Sequence, residues 1–167
     1  GPQTALISEA MGDAYYNLGD FESARRAYRR ALQQVGSSAY LQSKIGLVEL
    51  RLGRAASGLA AMKDAVKQEP YAGELYDRLM AAYAMSGNLR EAAETAEAKL
   101  RAVEPEPGGY LRAASIHAQL RDWPRALALL QEGVRRFPEA PKLQQALAEI
   151  QGMAGQPQQA RYQAHTP

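Results

Sequence analysis

Along residues 17–32, "NLGDFESARRAYRRAL", apolar and polar positions separate with a helical rhythm. Phe21, Ala24, Tyr28, Ala31 and Leu32 recur at steps of three and four, which gathers them on one face of a helix. Arg25, Arg26, Arg29 and Arg30 crowd the rest of the segment. Thirty-four residues on, the same pattern returns as "RLGRAASGLAAMKDAV", then as "AMSGNLREAAETAEAKL", "QLRDWPRALALLQEGV" and "GMAGQPQQARYQAH". A fixed period of this length marks a chain built from stacked copies of one supersecondary unit.

With Ala5 as position 1, the units are 5–38, 39–72, 73–106 and 107–140, with a shortened fifth at 141–167. Position 20 is always small: Ala24, Gly58, Ala92, Ala126 and Ala160. Position 8 reads Gly12, Gly46, Met80, Ala114 and Ala148. Small residues at both places let two helices approach closely. Position 15 reads Gly19, Gly53, Gly87, Arg121 and Gly155; glycine there ends a helix in the left-handed conformation. Asp20, Asn88 and Asp122 follow as caps for the next helix. Pro70, Pro105 and Pro138 stop the second helix of their units. The spacing predicts helices at 5–18, 21–34, 39–52, 55–68, 73–86, 89–103, 108–120, 124–136, 141–153 and 157–164.

"GDAYYNLGDFESARRAYRRAL" closely resembles the tetratricopeptide repeat (TPR) pattern of Gly-x-x-Tyr, Gly-Asp-Phe/Tyr, Ala and Phe/Tyr-x-x-Ala-Leu. The resemblance runs over nearly the whole chain and points to a bacterial TPR-domain protein. It implies an all-α fold: a right-handed superhelical solenoid of antiparallel helix hairpins, with about five 34-residue repeats in one domain, 5–167. The fourth unit departs from the pattern at Arg121 and Gly133. The fifth departs most, with Pro157 for an aromatic and Gln158, Gln159 and Gln163 on a polar last helix. A polar last helix suits the end of a solenoid, or arises from truncation.

Composition narrows the function. The net charge of +2 lacks the concentrated basic surface that nucleic acid requires, and no apolar run is long enough to span a membrane. Cysteine is absent, which removes thiolate chemistry and suits bacterial cytoplasm and periplasm alike. Arg outnumbers Lys about threefold, as in GC-rich bacterial genes. Gly1 and Pro2 match the remnant of a cleaved expression tag, so residues 1–4 are set apart as a leader and a longer parent is expected. No phosphate loop, serine elbow or zinc spacing occurs. His117, at the position held by Tyr15 and Tyr83, reads as a packing residue, and His165 as a solvated tail residue. Trp123 reads as a wedge between helices. No catalytic residue, metal ligand or cofactor is expected.

The resemblance further implies that positions 2, 5, 6, 9, 12 and 13 of each first helix line a concave groove. Tyr16, Tyr40, Leu47 and Leu50 would then form an apolar, aromatic patch there, suited to an anchor side chain. Lys44, Arg51, Arg78 and Arg112 would draw a basic line through the groove, with Glu9 and Asp13 acidic at its mouth. The expected partner is a protein or peptide segment with an apolar anchor and acidic residues. Chaperone-associated relatives clamp a terminal carboxylate with Lys, Asn and Arg, but those positions here read Glu9, Asp13, Lys44, Glu74 and Arg78, which argues against such tails. The four outer arginines read as a solvated face. The implied function is a non-enzymatic scaffold, and the family's bacterial habits point to envelope assembly: pilus biogenesis, secretion or polysaccharide export. Two readings compete with it: an accessory module of a larger enzyme such as a glycosyltransferase, and a self-associating assembly module. The chain is a monomer or weakly self-associating on these readings.

Overall fold

A computed structural model describes the backbone of residues 1–164 and the side chains of residues 1–155. Its helices are α1 (Pro2–Asn17), α2 (Phe21–Val35), α3 (Ala39–Arg51), α4 (Ala55–Gln68), α5 (Gly73–Met85), α6 (Leu89–Ala102), α7 (Pro107–Gln119), α8 (Trp123–Arg136) and α9 (Pro141–Ala164). There is no strand among the described residues. The chain divides into two compact units, Gly1–Asn88 and Leu89–Pro167. In the first, α1 packs on α2, α2 on α3, α3 on α4 and α4 on α5; in the second, α6 packs on α7, α7 on α8 and α8 on α9. Both units are all-α. No described helix is long and apolar enough to cross a membrane.

One turn is built four times. The amide of position 16 donates to the carbonyl of position 11: Asp20 to Tyr15 at 2.9 Å, Arg54 to Glu49 at 2.8 Å, Asn88 to Tyr83 at 2.8 Å and Asp122 to His117 at 2.9 Å. The residue between lies in the left-handed region: Gly19 at φ 79°, Gly53 at 83°, Gly87 at 76°, and the non-glycine Arg121 at 59°. Closing the last turn this way satisfies carbonyls that a helix end would otherwise leave unpaired. Asp20 and Asp122 then cap the following helices, accepting from the Ser23 and Arg125 amides at 3.1 and 3.2 Å.

The small positions sit where helices cross. A Cβ on Gly12 would lie 2.5 Å from the Tyr28 ring, and one on Gly46 would lie 2.7 Å from the Gly58 carbonyl. Ala24, Ala92 and Ala126 are fully buried. The expected break after residue 153 does not occur: α9 runs from Pro141 to Ala164 as one helix. Gly155, unlike the glycines of the first three units, does not take a positive φ, so the chain makes no turn there and no separate capping helix forms. His165 lies outside the described residues.

Candidate functional site

In the first unit, α1, α3 and α5 present their expected groove positions on neighbouring helices, and side chains lace them together. Lys44 of α3 reaches α1, meeting Glu9 at 2.8 Å and Asp13 at 3.0 Å. Burial alone would depress the Lys44 ammonium, but hydrogen bonds to Glu9 and Asp13 outweigh it and hold its pKa above the usual lysine value. Asp13 also accepts from the Tyr28 hydroxyl at 2.5 Å; burial, with Asp13 beside it, drives that phenol's pKa upward. Arg78 of α5 pairs with Glu74 at 2.7 Å and donates to the Tyr40 carbonyl at 3.3 Å. Arg51 donates to the Tyr16 hydroxyl at 3.1 Å and lies over the Tyr16 and Phe21 rings. The expected basic line in this unit is therefore made of engaged cations. Arg112 is an exposed residue of α7 in the second unit.

The expected aromatic patch divides. Tyr40, Lys44, Leu47 and Arg51 form one stripe along α3 at steps of three and four. Tyr16 meets that stripe at Arg51, and its ring stacks edge-on with Phe21 at 5.3 Å. Tyr40 begins the stripe, eleven residues from Arg51, or about 16 Å along the axis. Between Tyr40 and Arg51 the stripe carries Lys44 and Leu47. Leu47 and Leu50 are half-buried. What opens beside Tyr40 is a cleft of about 360 Å³ lined by Pro2, Ala5, Leu6, Glu9, Val35, Ser37, Ser38, Tyr40 and Leu41. Leu6, Val35 and Tyr40 are exposed apolar residues at its rim. Its floor is made where α1 and α3 flank the Gly36–Ser38 turn. The turn is fixed by Gly36 at φ 88° and by Ser38, which caps α3 by accepting from the Leu41 amide at 3.2 Å. Leu6 falls at groove position 2 of the first unit and Val35 just past the expected 21–34 helix, and nothing in the spacing joined them to Tyr40.

Two charge clusters escaped the sequence reading. In the first unit Glu49 is buried and receives Arg25 at 3.3 Å, Arg29 at 3.5 Å and Arg54 at 3.1 Å. Arg25 and Arg29 therefore brace the fold, and the solvated face expected of four arginines is carried by Arg26 and Arg30. Burial would raise the Glu49 carboxyl, but hydrogen bonds from Arg54 and Arg25 outweigh it and lower its pKa. In the second unit His117 lies 2.8 Å from Glu97 and 3.6 Å from Asp122, and Arg125 closes on Glu97. His117 is thus buried in an ion-pair cluster as well as packed. Burial would raise Glu97 too, but Arg125 and then His117 outweigh it and lower its pKa. Both clusters use the same repeat positions, and at positions 16 and 25 the charge is reversed. Position 11 is Glu49 in one and His117 in the other; position 25 of the preceding unit is Arg29 or Glu97; position 16 is Arg54 or Asp122.

The family model of the tetratricopeptide repeat matches residues 9–74, and a second tetratricopeptide repeat model matches residues 107–150. No curated protein sequence matches the chain. Among solved structures, MamA from Desulfovibrio magneticus RS-1 is 15% identical, with a TM-score of 0.63 over 96% of this chain and 92% of that one. TTC0263, a thermophilic TPR protein of Thermus thermophilus, is 22% identical, with a TM-score of 0.59 over 90% and 83%. The first TPR of Spaghetti (RPAP3), bound to the HSP90 peptide SRMEEVD, is 21% identical, with a TM-score of 0.59 over 72% and 98%.

Proposed function

Because the chain belongs to the tetratricopeptide repeat family, we propose that it is a non-enzymatic scaffold that seats an apolar side chain of a partner peptide in the Leu6–Val35–Tyr40 cleft. The cleft carries the reading. About 360 Å³ is room for one large side chain and part of its neighbours, and three exposed apolar residues at the rim would be covered on binding. A buried aromatic or aliphatic anchor supplies most of the affinity at such interfaces.

Charge has a smaller part than the sequence suggested. The wall of the first unit sets Glu9, Asp13, Glu74 and Asp77 against Lys44, Arg51 and Arg78, so an acidic segment gains little from it. A terminal carboxylate is disfavoured where Glu9 and Asp13 already hold Lys44. The likeness to a TPR that binds an HSP90 peptide supports peptide capture as such, with a different chemistry at the anchor. The Desulfovibrio and Thermus neighbours support a bacterial setting, and envelope assembly is the pathway class we carry forward.

The test is selection from a displayed peptide library, followed by calorimetry of the enriched sequences. They should share one bulky apolar residue. Tyr40→Ala should weaken them by about 2 kcal/mol, roughly thirtyfold, whereas Arg26→Glu with Arg30→Glu on the outer face should not. Unchanged affinity in Tyr40→Ala, or loss in the outer variant, would move the binding surface away from the cleft.

A further inference from the structure

His117 holds the repeat position that Tyr15 and Tyr83 hold in other units, and it is buried. Its ring lies between two carboxylates that belong to two different segments of the second unit. Nε2 is 2.8 Å from Glu97 Oε2 on α6, the distance of a full hydrogen bond. Nδ1 is 3.6 Å from Asp122 Oδ2, in the turn that leads into α8. Nδ1 is itself buried and has no hydrogen-bond partner. Carboxylates only accept. A neutral ring, with one N–H, can therefore serve one side and must turn a bare lone pair toward the other. The imidazolium can donate to both.

The charges around the ring favour the same form. Glu97 and Asp122 bring two negative charges, and Arg125 of α8, which closes on Glu97, brings one positive charge. A neutral His117 leaves one negative charge unbalanced, and a protonated His117 balances it. Burial and Arg125 both work against the proton. Arg125, however, is engaged at Oε1 of Glu97, which leaves Oε2 and the Asp122 carboxylate to the ring. Glu132, farther along α8, acts on Arg125. On α9 the charged residues Lys142 and Glu149 are exposed, and neither is an ion-pair partner of the ring.

The corresponding cluster of the first unit is built differently. Glu49 there meets Arg25, Arg29 and Arg54, and guanidinium groups do not give up their protons in proteins. Of the two clusters, the second has the member whose charge changes near neutrality.

We propose that His117 is a proton switch: it takes up a proton when α6, α7 and α8 pack and bridges Glu97 to Asp122, so that the joint is firm when the ring is charged and slack when it is neutral. Asp122 also caps α8, accepting from the Arg125 amide at 3.2 Å, so the charge of the ring reaches the start of α8 as well. A proton held more tightly by the folded chain than by the unfolded one adds stability. That stability is complete below the unfolded histidine value of about 6.5 and is lost as pH rises through the folded one.

Nitrogen-15 spectra of the imidazole rings in the intact chain read the protonation state. His117→Gln identifies the His117 signals by removing them and leaves those of His165. At about pH 7, where a free histidine is mostly neutral, the His117 ring should carry a proton on both nitrogens. Asp122→Asn keeps an oxygen for the α8 cap and removes the charge that faces Nδ1, so its ring should be mostly neutral at the same pH. Asp20→Asn, the same change at the first-unit cap, should leave the ring charged. Amide exchange in α7 and α8, corrected for its intrinsic pH dependence, should slow severalfold between about pH 8 and pH 6 in the parent chain and not in His117→Gln. A bare nitrogen on His117 at about pH 7 would overturn the proposal. So would a ring indifferent to Asp122→Asn, or an equal exchange response in His117→Gln.

Discussion

Arg121 does at one turn what glycine does at three. A side chain in the left-handed region costs roughly 1–2 kcal/mol, and the open space at Gly19, Gly53 and Gly87 shows that backbone conformation alone sets the demand there. Glycine regains part of that cost but loses about 0.4–1 kcal/mol through the greater freedom of the unfolded chain. Arg121→Gly should therefore stabilise by about 0.5–1 kcal/mol, raising the melting temperature by roughly 2–3 °C, while Gly53→Ala should lower it by a similar or greater amount. Thermal unfolding of the two variants checks both signs. A drop for Arg121→Gly would mean that its side chain contributes something beyond the turn. The irregularity at residue 121 was visible in the sequence as one missing glycine, because left-handed backbone is a property of single residues.

At the scale of elements, the crossing of helices rests on residues too small to be noticed singly. Ala126 is fully buried on α8 and Ala114 is buried on α7, whereas Ala128, two residues on, is exposed. Ala126→Leu should destabilise by roughly 1–3 kcal/mol through overpacking, and Ala128→Leu by no more than a few tenths, as urea unfolding of both will show. Eight of the predicted helices lie within about three residues of the observed ones. Period, small positions and turn glycines are local signals, and each acts on its nearest neighbours. α9 shows the limit of such signals. Gly155 occupies the right place in the repeat, yet the backbone there stays helical.

At the scale of the whole molecule, what stayed hidden is what side chains do across repeats. The family resemblance implied one wall for Lys44, Arg51 and Arg78 but could not tell that each would meet a partner there, because pairing depends on rotamers reaching between helices. The contacts of Tyr16 with Phe21 and Arg51 were hidden for the same reason. The same reach governs acid stability. Glu49 and Glu97 have pKa values lowered from 4.5 in the folded chain. A lowered folded-state value means stability that is complete above the unfolded pKa and is lost as pH falls through the folded one. The chain should hold its stability down to about pH 5 and lose it below 4.5. A Glu49→Gln, Glu97→Gln double variant should be weaker at neutral pH yet lose less on acidification, measured by urea unfolding at about pH 7 and pH 3.5. Equal acid sensitivity would place the titration elsewhere.

The opposed polarity of these two clusters also gives the hairpins an order. Helical repeats of one length are in principle interchangeable, and such chains grow by duplication and exchange of whole copies. Here, setting the 39–72 hairpin behind 73–106 would bring Glu49 against Glu97, and setting 107–140 behind 5–38 would bring His117 against Arg29. Each misplaced copy would meet a like or unmatched charge in a place with little water to screen it. The two joints thus work as addresses, and a recombined descendant would need a compensating change before it could inherit the fold.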